Sequence, residues 1–323
     1  MMRLLVAAVL SALAGIGGVQ AQTFPNRPIT VIVPFPAGGS TGAMARILLE
    51  PMQAALGQPI VVENVGGAGG SIGAGRVARA APDGYTLVFT HMQTHVLNGA
   101  VLSLPYDVVT DFEPLALVAD TPQIVVTRTA FPANNLKELI AWLKANPNKG
   151  TSGAVGIGGP SDISAWQFKQ ITGTDFQSVP YRGGGPLLAD LISGQIDINF
   201  GQASTYIGAV RNGQLKALAT QAKERWWGAP DVPTVDEAGV TGLYGSYWHG
   251  MWLPKGTPKD IVAKLNAAVM TALADPTVQQ RFKDSGQSIW PKDQQTPEAL
   301  AAFQKAEIDR WWPIIKASGI KAQ

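Results

Sequence analysis

The run Gly38-Gly39-Ser40-Thr41-Gly42 fits G-x-S-x-G, the pattern that holds a nucleophilic serine on a strained strand-to-helix turn. A hydrolase would also need an acid and a histidine downstream, for which His249 with Asp197, Asp231 or Asp236 are the candidates. Pro34-Phe35-Pro36-Ala37 lies between the preceding β-prone run and those glycines, however, and lengthens a turn that must be sharp. His91-x-x-x-His95 has the spacing of two zinc ligands on a helix, but Met92 stands where the general-base Glu belongs. With three histidines and no cysteines, no metal site is expected, and either histidine reads better as a polar group in or behind a cleft. Gly67-x-Gly69 with Gly73 and Gly75 lacks the GxGxxG spacing, and the next strand ends in Thr90-His91 without an acid for a ribose. No nucleotide or other cofactor is therefore expected.

Anion binding suits these loops better than catalysis. Ile29 to Val33 is a strand, Ala37 to Gly42 a stretch almost without side chains, and Thr41 to Leu56 a helix. Backbone N–H groups at such a helix start are unpaired and sit at the positive end of its dipole, so they favour a carboxylate or phosphate. Two further glycine-rich loops have the same strand–loop–helix setting. One runs from Gly153 to Ser161, with Ser161 as the expected N-cap of a helix Asp162 to Ile171; the other runs from Val179 to Pro186, with Pro186 expected at N1. Arg182 in the third loop is a candidate partner for a carboxylate. Asp162, in a helix first turn, would repel one.

The elements that must position these loops alternate strand and helix, the pattern of an α/β protein with a largely parallel sheet. Further strands are expected at Pro59 to Asn64, Tyr85 to Thr90, Leu115 to Val118, Ile124 to Thr127, Ile196 to Phe200, Ala217 to Thr220 and Trp248 to Leu253. The Thr121-Pro122 pair is expected to break the fourth from the fifth. Asn135 with Glu138 forms a capping box, and Pro51 predicts a kink in the first helix. The Trp pairs 226–227 and 311–312 are expected to pack at helix ends, and Trp248 in the core.

Length and composition set the bounds. At 323 residues the chain is long enough for two domains, and 46% hydrophobic against 15% charged residues suits a globular protein. A formal charge of +2 with scattered Lys and Arg gives no basic face, so no nucleic-acid partner is expected. Arg3, the apolar run Leu4 to Ile16 and Val19-Gln20-Ala21 read as a secretory signal peptide, residues 1–21, cleaved after Ala21. A cysteine-free exported chain fits a bacterial periplasm.

Across nearly the whole mature chain the motifs resemble one family. Pro28-Ile29-Thr30 through Ser40-Thr41 with Ala45-Arg46, then Gly57-Gln58-Pro59, Pro82-Asp83-Gly84-Tyr85, Leu104-Pro105-Tyr106-Asp107, Val179-Pro180-Tyr181-Arg182-Gly183, Pro230-Asp231-Val232-Pro233-Thr234 and Gly256-Thr257-Pro258 are similar to the Bug-type receptors. These are the periplasmic solute-binding proteins of tripartite tricarboxylate transporters. The resemblance implies a two-lobe, Venus-flytrap fold of type II character, each lobe a mixed sheet flanked by helices. Lobe 1 would be residues 22–121 plus 247–323 and lobe 2 residues 122–246, with crossings near Thr121 and Tyr247. It implies a non-enzymatic monomer that takes a small carboxylated ligand and delivers it to integral-membrane permease subunits. Ligand contacts are implied at Phe35, Ala37, Gly38, Gly39, Ser40 and Thr41, at Thr90, Gln93 and Thr94, at Ala154, Gly158, Gly159, Ser161 and Asp162, and at Gly201 and Gln202, beside Arg182.

This chain departs from the family where Gly42 and Gly201-Gln202 replace common acids, and where Ala154 and Gly159 replace serines and Asp162 a histidine. The missing acids disfavour zwitterionic amino acids and favour a (di)carboxylate with a flat or apolar, for example aromatic, body. The alternatives are a serine hydrolase using Ser40 and a ligand-sensing co-receptor for a sensor kinase.

Overall fold

The computed structural model describes residues 24–321. The expected signal peptide and the start at Gln22 lie outside them. Strand β1 (Ile29–Val33) runs through the Pro34–Gly39 loop into α1 (Ser40–Leu56), which ends on Gly57 in the left-handed conformation at φ 66° and continues through Pro51. β2 (Ile60–Asn64), α2 (Ser71–Ala78) and β3 (Thr86–His91) follow, then a π-type turn at Gln93–Leu97 and the short α3 (Asn98–Val101). β1 lies between β2 and β3, parallel to both.

β4 (Phe112–Arg128) joins the two lobes. It is a single strand of 17 residues, where a break at Thr121-Pro122 was expected. The proline is tolerated for a positional reason. Gln123 N donates to Gly245 O at 2.9 Å, so by alternation the Pro122 nitrogen faces the other edge of the strand. On that edge β10 (Ser288–Ile289) pairs with Ala119 and Asp120, and β7 (Ile198–Gln202) pairs from Gln123 onward, so Pro122 falls in the gap between them. The opposite edge carries β9 (Ser246–Pro254) as far as Pro122 and then β8 (Leu215–Thr220) from Ile124. Three backbone bonds close this crossing: Gln123 N to Gly245 O, Gly245 N to Gln221 O and Gln221 N to Gln123 O, at 2.9, 3.0 and 2.8 Å.

In the second lobe α4 (Leu136–Ala145) is capped as expected, with Asn135 Oδ1 accepting from Glu138 N and Glu138 accepting from Asn134 N. β5 (Thr151–Val155) leads to α5 (Pro160–Thr172), β6 (Gln177–Tyr181) to α6 (Gly184–Ser193), and β7 to α7 (Ala203–Arg211). β5 pairs in parallel with β6 and β7. Two cap expectations are corrected. α5 starts at Pro160 on Gly159, and Ser161 Oγ turns back to accept from Val155 N at 3.0 Å. α6 starts two residues before Pro186. The chain returns through β9 to α8 (Lys259–Ala274), α9 (Pro276–Asp284), β10 and the long α10 (Pro297–Ser318), capped by Thr296.

Four apolar clusters cover the faces of the sheet. One packs α1 and α8 on β1, β3 and β4 around Leu48, Leu265 and Met251. A second seats α2 and α10 on the opposite face around Trp248, Trp252 and Trp311. Phe168, Phe176 and Phe200 centre a third, and Ile124, Leu187 and Tyr206 a fourth. Fully buried aromatics of this size, each removing ~150–250 Å² from water, dominate the hydrophobic stabilisation. Trp248 is in the core, as expected, with its Nε1 donating to Glu307 at 3.0 Å. The other Trp pairs are not at helix ends: Trp226 and Trp227 occupy the connection after β8, and Trp311 and Trp312 lie within α10.

Candidate ligand-binding cleft

A cavity of about 570 Å³ opens between the lobes. The first lobe lines it with Phe35 to Thr41, His91, Gln93 and Tyr247; the second with Val155, Ser161, Arg182 to Pro186, Leu188, Asn199, Gly201, Gln202 and Ser204 to Tyr206. Helices α1, α6 and α7 begin in this lining, capped by Gly39, Gly183 and Gln202. None of the three has a side-chain cap or an acid in its first turn. Their first N–H groups and dipoles therefore remain available to a guest anion.

The wall is fixed by local chemistry. Asn64 Nδ2 donates to Phe35 O at 2.9 Å and anchors the first loop. Phe35 stacks on His91 with centroids 4.4 Å apart, and His91 meets Tyr247 and His249 edge-on at 5.5 and 5.2 Å. His91 Nδ1 accepts from Gln93 N at 3.3 Å, which places the ring proton on Nε2. Burial pushes His91 down to about 3 and His249 well below its ordinary value, so both rings are neutral at physiological pH. Burial raises Tyr206 and Tyr247, keeping their hydroxyls protonated. Among the lining residues Arg182 is the one with a charged side chain, and no carboxylate is present. The field in the cavity favours an anion over an ammonium group.

Catalytic geometry is not assembled around Ser40. Its Oγ donates to Gln202 Oε1 at 2.9 Å, while His249 Nε2 pairs with Thr41 Oγ1 at 3.1 Å. Asp197 is taken by Arg128 and Thr151, and Asp236 by Tyr244.

Of the expected site residues, Phe35, Ala37, Gly38, Gly39, Ser40, Thr41, Gln93, Ser161, Arg182, Gly201 and Gln202 come together in this lining. The others are placed elsewhere. Thr90 and Thr94 are buried, with their hydroxyls joined at 2.8 Å and Thr94 bonded to His95, so they brace the turn behind the wall. Gly158 packs against Val101, and a side chain at Gly159 would meet Val155 O. Ala154 and Asp162 face a separate hollow beside Gly319 and Ile320, and the Asp162 carboxylate accepts from Gly158 N and Ser178 Oγ at 2.9 and 3.2 Å. Gly42 also lies outside the lining: the space where its side chain would stand faces Arg46 and Asn64.

The loop facing Pro34–Gly39 is thus chiefly the third glycine-rich one, whereas the second contributes only Val155 and Ser161. Asn199, Tyr206 and Tyr247 also line the cleft and are not among the ligand contacts expected from sequence, where Tyr247 marks only a crossing. Strand alternation carries the signal for the first, since Asn199 and Gly201 share one face of β7.

Residues 44–320 match the family described as tripartite tricarboxylate transporter family receptor. The periplasmic binding protein BugD is 39% identical, with a TM-score of 0.86 over 93% of this chain and 100% of its own. MatC of Rhodopseudomonas palustris, solved with bound malate, is also 39% identical, with a TM-score of 0.86 over 90% of this chain and 100% of its own. The R. palustris protein Rpa4515, solved with adipate, is 30% identical, with a TM-score of 0.87 over 92% of this chain and 99% of its own. Fold and sequence agree: two lobes built on one curled, helix-flanked sheet, with motifs matched over most of the length, and the chain belongs to the tripartite tricarboxylate transporter receptor family.

Proposed function

We propose that this protein is a non-enzymatic receptor that binds a small organic dicarboxylate in the interlobe cleft and delivers it to a membrane permease. The observation that carries this reading is the cleft's charge: three uncapped helix N-termini and Arg182 line it, and no acid does. Each N-terminus contributes ~0.3–1 kcal/mol toward an anion where exposed, and more where water is excluded. The Phe35 ring, stacked on His91, offers a flat apolar face to the cleft, which favours a ligand with a planar body between its carboxylates. The relatives solved with malate and adipate support the dicarboxylate class.

In this reading the lobes are residues 22–121 with 247–323, and 122–246, because β4 exchanges its partners at Pro122 and Gln123. Ligand binds the closed arrangement more tightly and shifts the population toward it. In the same reading the signal peptide expected at residues 1–21 directs export, and the receptor works in the periplasm, as its family does.

The test is a thermal-shift screen of the protein from Gln22 onward, unfolded and refolded to strip bound solute. The panel holds aliphatic and aromatic mono-, di- and tricarboxylates and amino acids. A ligand at about a hundred times its Kd adds ~2.7 kcal/mol, several degrees for a chain this long. A rise confined to dicarboxylates is expected. A flat panel, or a rise with amino acids alone, overturns the reading.

A further inference from the structure

A second concavity, of about 690 Å³, lies at the seam between the lobes and apart from the cleft lining. Its floor is apolar: Met270 and Leu273 of α8, then Ile289 and Trp290. Trp227, from the second lobe, closes one side and is 42% exposed, although Trp226 beside it is buried. The charged residues that line it are two lysines, Lys283 and Lys292, with no acid among them. Main-chain groups add to this. Trp290 N donates to Val118 O at 3.2 Å, so by alternation Ile289 turns its N–H and C=O away from β4, on an edge that no described strand covers.

Two hydrogen bonds make this groove a property of both lobes. Trp227 Nε1 donates to Ser288 Oγ at 3.0 Å across the seam. Gln287, buried in the groove wall, donates to Ser204 Oγ at 2.8 Å, and Ser204 lines the ligand cleft. One hydrogen-bonded pair therefore separates groove from cleft. A guest in the groove lies against residues of both lobes and beside the hydrogen bond that Gln287 makes to the start of α7.

We infer that this groove is the docking site for an acidic extracytoplasmic segment of the membrane permease, inserting an apolar side chain beside Trp227 and setting carboxylates against Lys283 and Lys292. This rests on the proposed receptor role. The charge pattern points to the occupant: an apolar floor whose charged lining residues are both lysines, set among glutamines and a serine, suits an acidic, partly apolar strand better than a basic one. Engagement through Gln287 and Ser204 ties docking to the state of the cleft, so the permease distinguishes one lobe arrangement from another and can loosen the ligand once docked.

The test uses the full receptor with its membrane subunits in proteoliposomes, and the labelled dicarboxylate that gives the largest thermal shift. Three variants are compared with wild type: Trp227→Ala, Trp227→Phe and the surface pair Lys283→Glu/Lys292→Glu. Each is measured for ligand Kd by calorimetry and for uptake. The expected result is Kd within twofold of wild type for the Glu pair and for Trp227→Phe, with uptake at saturating ligand falling at least tenfold for the Glu pair and for Trp227→Ala. Raising salt should lower wild-type uptake and raise the residual uptake of the Glu pair, because it screens attraction in the first and repulsion in the second. Undiminished uptake by the correctly folded Glu pair overturns the docking site and leaves the receptor role standing. A Kd that weakens in parallel with uptake overturns it too, since the lysines then serve the cleft. Wild type that binds ligand but supports no uptake removes the transport reading, and the docking site with it.

Discussion

The Ser40 hydroxyl donates to the Gln202 side-chain oxygen at 2.9 Å, joining two helix N-termini that lie 162 residues apart in sequence, one on each side of the cleft. The hydroxyl's one proton is committed to Gln202, so Ser40 ties the two sides of the cleft together while the backbone N–H groups face the ligand. Replacing Ser40 by Ala should weaken dicarboxylate binding by roughly three- to tenfold, about one hydrogen bond. Calorimetry reads the loss; a collapse of binding by several hundredfold would mean that the backbone amides do little.

Gln202→Glu tests the charge argument directly. A carboxylate at the N-cap of α7 is favourable for the helix, so the melting temperature should hold or rise. The same carboxylate faces a site otherwise free of acids, and dicarboxylate affinity should fall at least tenfold. Stability retained with affinity lost separates electrostatics from misfolding.

Protonation gives opposite signs at two places. Burial holds His91 and His95 down at about 3, against an unfolded value of 6.5, so between those limits the unfolded chain binds more protons than the folded one. Their contribution is complete above pH 6.5 and is lost progressively as pH falls toward 3. Melting temperature should drop steadily from pH 6.5 to 4, and a flat profile there would contradict the neutral rings.

Asp120 runs the other way. Burial at the lobe crossing raises it to about 6 from 3.8, so the folded state holds its proton more tightly and loses stability as pH rises through that window. Asp120→Asn should stabilise the protein by about 1–2 kcal/mol at pH 8 and by nothing measurable at pH 4. Chemical denaturation at the two pH values checks this.

Gly201→Ala addresses packing under the site. A β-carbon there would collide with Asn199 Oδ1 and the Tyr206 ring, neither of which is free to swing away in this buried wall. A loss of about 1–3 kcal/mol is expected, from the denaturation midpoint.

What the sequence made readable were features decided within a few residues. The β1–loop–α1 unit and the Asn135–Glu138 box each follow from local propensity, and each is found where expected. Pro122 misled because a proline speaks locally of a break, while its tolerance depends on a gap between β10 and β7 that only the assembled sheet creates. Asp162 misled for a related reason: its type predicts repulsion of a ligand, yet its carboxylate is turned back onto Gly158 and Ser178. The Ser40–Gln202 pair has no local signature at all.

The three bonds that close the crossing, between Gln123, Gly245 and Gln221, use main-chain atoms alone, and Gly245 is held to glycine there because a β-carbon would strike the Gln123 side chain. The crossing and the cleft lining thus rest on different atoms: exchanging the side chains of Arg182, Gln202 or Tyr247 leaves these main-chain bonds in place, so the proposed ligand choice can change while the proposed hinge is kept.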